Sequence, residues 1–184
     1  MNQGVFLYVV SGMVALAAAV IGFFAWRYYQ QRRRAHLRSQ FGPEYDRTVL
    51  ETRNRARAEA ELARREKQVR KFKLRPLSLA DQQRFTSAWQ GAQARFVDDP
   101  PGATAEAHRL VHDLMLAWGY PAGDFNELTA YVSVDHPWVM QDYREAHAIA
   151  VRNEGGQGGT EDLRQAIIHY RAMFGDLLGM RKVA

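Results

Sequence analysis

The chain of 184 residues has six histidines and no cysteine. Acid–base or metal chemistry near neutral pH therefore depends first on where those imidazoles fall. His108 and His112 stand at i,i+4 on one expected helix, with Asp113 beside them. Two imidazoles at that spacing share a helix face and can share a divalent metal. The glutamate of H-E-x-x-H is missing, because Arg109-Leu110-Val111 separates the pair, so a third ligand has to come from Glu106 or His136. A metal-dependent enzyme using His108/His112 is one expectation, and a plain surface pair is the simpler one. His147 falls on the apolar stripe of its helix and reads as a satisfied, partly buried imidazole. His136, just before Pro137, belongs to helix-start geometry, and His169 is flanked by core positions. With Asp135 they make a constellation only if the fold brings His136 and His169 into one cleft.

Other chemistry has less support. The glycine loop at 155–159 lacks the Lys-Ser/Thr of a phosphate loop and follows no strand, which excludes that mode of nucleotide binding. Asp98-Asp99 precedes two prolines and reads as a turn. With neither a cysteine nor G-x-S-x-G, acyl transfer has no basis. No catalytic residue, metal or cofactor is assigned, and an enzyme is not expected.

The elements that must hold these residues read as helices. Ser78 caps one, with Asp81 three residues on, and its stripe is Phe85, Trp89, Ala92 and Phe96. The next carries Ala107, Leu110, Val111, Leu114 and Trp118 and stops at Gly119 in a left-handed conformation. Asp124 caps a short helix with Phe125, Leu128 and Val132. Asp135 precedes another with Pro137 in its first turn and Val139, Tyr143, Ala146, His147 and Ala150 on its stripe. Thr160 caps the last, with Leu163, Ile167, Tyr170, Phe174 and Leu177. No strand-length alternation competes with this pattern, so the class is all-α.

Upstream, Val5 to Trp26 is a run of 22 residues without a charge. As a helix it covers about 33 Å, the thickness of a bilayer core. Aromatic residues gather at its end (Phe23, Phe24, Trp26, Tyr28, Tyr29), and Arg27, Arg32, Arg33, Arg34 and Arg38 follow as a membrane-surface collar. The expectation is a single-pass anchor in a bacterial inner membrane, with the N-terminus outside and the C-terminal domain cytoplasmic. The rival is a cleaved signal peptide with Ala15, Ala17 and Ala19 near the cut, giving an exported, secreted or periplasmic protein. A charged n-region is missing, however, and apolar sequence continues to Trp26. The small residues Ser11, Ala15, Ala18, Gly22 and Ala25 suit a homodimer through the transmembrane helix, although alanine is common in spans.

The formal net charge of +5 conceals an asymmetry. Arg27 to Arg75 holds 16 Lys/Arg against 6 Asp/Glu, a net +10, and Pro76 to Ala184 holds 9 against 14, a net −5. A new helix is expected to begin near Pro43 and to run to about Lys73, before Arg75-Pro76. Glu51/Arg55, Glu61/Arg65 and Glu66/Arg70 are i,i+4 pairs along it. Such an arm suits the lipid bilayer or serves as a charged spacer. With no aromatic platform and no recognition motif, nucleic acid is disfavoured. The domain organisation is then 1–26 anchor, 27–75 basic juxtamembrane arm, and 76–184 a small globular domain of about five helices. At 47% apolar and 24% charged, the composition excludes a disordered tail, a collagen-like chain and a disulfide-stapled mini-protein.

Phe41-Gly42-Pro43-Glu44-Tyr45, Arg95-Phe96-Val97-Asp98-Asp99-Pro100, Ser133-Val134-Asp135-His136-Pro137 and Glu161-Asp162-Leu163-Arg164-Gln165-Ala166 through His169-Tyr170-Arg171 resemble an uncharacterised family of short bacterial proteins with an N-terminal hydrophobic segment, labelled hypothetical or secreted. The resemblance runs from Phe41 to Leu178. It implies a bacterial source and supplies no activity, catalytic residue or cofactor. The functional expectation is a helical interaction module that acts by binding an unknown protein partner.

Overall fold

The structure, a computed structural model, describes residues 3–155 and 158–179; the side chains at 3–11, 14 and 15 lie outside the description. Every regular element among the described residues is a helix: α1 (Gln3–Phe41), α2 (Pro43–Thr52), α3 (Arg55–Val69), α4 (Leu79–Arg95), α5 (Pro100–Trp118), α6 (Phe125–Val132), α7 (Met140–Glu154) and α8 (Thr160–Leu177). The chain divides into two compact units, Met1–Ser39 and Gln40–Ala184.

The described residues of the first unit, 3–39, all lie in α1. It exposes Leu16, Ile21, Phe23, Phe24 and Trp26, and Arg32 lies over the Tyr28 ring at 5.0 Å. Arg27, Arg32, Arg33, Arg34 and Arg38 are all exposed on it. Among the described residues no helix is long and apolar enough to cross a membrane. This corrects the transmembrane anchor and, with it, the inner-membrane location. The unbroken apolar stretch whose side chains are described, 16–26, covers about 16 Å as a helix, roughly half a bilayer core. Most of the remaining span, and Ser11 and Ala15 of the small-residue stripe, lie outside the described side chains.

In the second unit, Gly42 (φ 45°) turns the chain out of α1, and Pro43 opens α2. A Cβ on Gly42 would lie 3.1 Å from the Trp138 ring, so backbone conformation and space both call for glycine there. The single charged helix expected from 43 to 73 is two helices. Arg53 adopts a left-handed φ of 50°, and the Asn54 side chain accepts from Arg57 N–H at 3.1 Å as the cap of α3. A short polar side chain that satisfies the backbone locally outweighs the helix propensity of the flanking alanines.

These two helices belong to the second compact unit and pack on its other helices. Tyr45 donates to Glu59 across α2 and α3 at 2.9 Å. Ala58 and Leu62 are fully buried, and Phe72 meets Tyr131 of α6 edge-on at 5.0 Å. Arg144 of α7 holds buried Glu44 of α2 with both guanidinium N–H groups, at 2.5 and 2.7 Å. The strap after α3 lies along the end of α5. Arg75 N–H donates to Trp118 C=O at 2.9 Å, and a Cβ on Gly119 (φ 101°) would come within 2.8 Å of Lys73 O.

α8 is the central helix, packed against α5 and α7, and α4 packs on α5. Its apolar face buries Leu163, Ala166, Tyr170, Met173 and Leu177 against Val111, Leu114, Tyr143 and Ala146; each large side chain so buried contributes about 1.5–3 kcal/mol. Ser78 and Asp124 cap as the sequence leads one to expect. Two other starts differ. Asp135 does not open α7, because its carboxylate accepts from the Tyr120 hydroxyl at 2.7 Å, and residues 133–139 form turns before the helix begins at Met140. Thr160 is the first residue of α8, and Gly159 before it donates its N–H to Asp162 at 3.0 Å.

Candidate functional site

Five of the six histidines occupy four separate places in the second unit. His108 (α5) and His147 (α7) meet in a ring cluster: their centroids are 5.4 Å apart, and His147 stacks on Phe125 of α6 at 3.7 Å. Tyr170 of α8 places its hydroxyl 3.2 Å from His108 Nδ1, and Tyr143 stacks 6.3 Å from the same imidazole. Burial lowers the pKa of both imidazoles; at His108 the neighbouring His147 adds to the effect. Burial also raises the pKa of the Tyr143 and Tyr170 hydroxyls. The cluster is thus held neutral at pH 7. Beside it opens a cleft of about 280 Å³ between α5, α7 and the start of α8.

His112, the sequence partner of His108, does not join this cluster and sits 3.7 Å from the Asp113 carboxylate. Glu106, a candidate third metal ligand, is bound instead by Arg95 at 2.6 Å. His136 faces Asp176 of α8 at 2.6 Å, and His169 faces Asp142 of α7 at 2.8 Å through Nδ1 and Glu145 at 3.3 Å through Nε2. His136, His169 and Asp135 therefore each have separate partners. Among the described residues no group of three or more His, Asp or Glu is placed to hold a metal ion.

A second concavity, larger than this cleft, is lined by a different set of α8 residues. A groove of about 560 Å³ runs between α4 and α8. Its floor is Trp89 stacked on Phe174, with centroids 4.5 Å apart and planes at 20°. Ile168, 45% exposed, and Ala172 line one wall. Thr86, Gln90 and Gln93 supply neutral hydrogen-bonding groups from α4, and Arg171 is the single charge. Gly175 lies at one end, and a Cβ there would meet nothing within 4 Å. Trp89 and Phe174 were legible as stripe residues. The groove was not, because it depends on how far apart α4 and α8 sit beyond the stacked pair.

Comparison with protein-family models, curated proteins and solved structures gives no match. The reading of function rests on the chain's own geometry.

Proposed function

We propose that the second unit is a helical binding module whose α4–α8 groove takes an amphipathic helix of a partner protein, anchored by apolar side chains and carrying a carboxylate toward Arg171. The observation that carries this reading is the groove itself. It joins an aromatic floor, an exposed isoleucine and alanine wall, amide groups that bond in either sense, and one unmatched sign of charge. A helix laid in such a groove presents apolar residues at i, i+3/i+4 and i+7 to the floor, and an acidic residue beside them meets the arginine. A glycine in the interior of α8 costs roughly 1 kcal/mol relative to alanine, and at Gly175 it leaves room for another backbone to approach.

The test is selection of helical peptides from a display library against the full chain, with Gly175→Trp and Arg171→Glu chains as comparisons. Enriched peptides should carry that apolar spacing with Asp or Glu, and both variants should weaken them at least about tenfold, or 1.4 kcal/mol. Enriched peptides that bind both variants as well as the parent would overturn the reading.

A further inference from the structure

The cleft beside the histidine cluster has a chemistry of its own. Its apolar lining comes from Pro101 and Ala105 of α5, Ala150 and Val151 of α7, and Leu163 of α8. Two exposed opposite charges stand at the same cleft on different helices, Arg109 on α5 and Glu154 on α7. Among the described residues neither is matched by an ion pair, yet both act on His108 electrostatically. The neighbouring imidazoles bring polar atoms without a fixed charge. We propose that this cleft binds a small zwitterion, an α-amino acid with an apolar side chain: its carboxylate lies on Arg109, its ammonium on Glu154, and its side chain against Ala105, Ala150 and Leu163. The volume of about 280 Å³ falls at the lower edge of ligand pockets, which suits a single amino acid better than a nucleotide or a drug-sized molecule. A guanidinium pairs with a carboxylate through two parallel bonds, so it fixes the ligand's orientation as well as attracting it.

The site shares no lining residue with the α4–α8 groove and does not depend on it. The test is titration of the full chain with free L-leucine and L-phenylalanine, observed through the imidazole resonances of His108 and His147. N-acetyl-leucine, which lacks the ammonium, and leucinamide, which lacks the carboxylate, serve as the probes of charge. Saturable shifts at both imidazoles are expected, with each analogue, and each of Arg109→Gln and Glu154→Gln, weakening binding at least about tenfold. Both residues are exposed, so the two variants should keep the parent's unfolding midpoint. No saturable shift with either amino acid, equal binding of the analogues, or full affinity in both variants would overturn the proposal.

Discussion

Replacing Arg144 with methionine should destabilise the second unit by about 3–5 kcal/mol, the cost of leaving a buried carboxylate without its counter-ion. Glu44 is 3% exposed and the Arg144 side chain 16%, so the water and salt that weaken surface pairs reach this one far less. Against a domain stability of about 5–15 kcal/mol, the loss takes a large part of the total. The paired change Glu44→Leu/Arg144→Met should recover most of it, because an apolar pair of similar volume has no charge to desolvate. Urea unfolding followed by the fluorescence of Trp89, Trp118 and Trp138 gives all four corners of the cycle, and the coupling should be favourable by more than about 2 kcal/mol. The pair also links α2 to α7. A loss of less than about 1 kcal/mol for Arg144→Met, the range of an exposed ion pair, would refute the docking of α2 on α7.

Stability should also depend on pH through the histidine cluster. Burial holds His108 and His147 below the ordinary imidazole value, so below about pH 6.5 the unfolded chain binds more protons than the folded one. Their stabilising contribution is complete above that pH and is lost as pH falls through the folded values; His147→Gln should flatten the fall in urea midpoint between about pH 7 and pH 5. Gly91→Ala and Gly175→Ala place a Cβ in open space inside α4 and α8, so each should raise stability by about 0.5–1 kcal/mol in thermal unfolding. Gly119→Ala should do the reverse by more than about 1 kcal/mol, given φ 101° and Lys73 O at 2.8 Å from the added carbon.

The all-helical class and the five helices after Pro76 were legible because their apolar stripes, and some of their end signals, are local. Ser78 and Asp124 each bond a backbone N–H three residues on, and Gly119 supplies the left-handed stop; Asp99, which read as a turn, caps α5 in the same way. How the arm docks was not legible, for a physical reason. Its composition is that of a solvated helix, while the residues that dock it are few and their partners distant: Tyr45 on Glu59, Phe72 on Tyr131, and Glu44 on Arg144 a hundred positions away. No local pattern encodes a pair at that separation. The same limit applied to the histidines. The i,i+4 spacing of His108 and His112 was visible, but the ring that meets His108 is His147 from another helix. Asp135, expected to start a helix, was claimed by Tyr120.

Whether the α4–α8 groove is the binding surface is decided by intermolecular nuclear Overhauser effects in a complex of the full chain with a selected helical peptide. Contacts from the peptide's apolar side chains to the Trp89 indole, the Ile168 methyls and the Gly175 α-protons are the predicted result. A bound peptide whose contacts fall at α5 and α7, with none to these three residues, would contradict it.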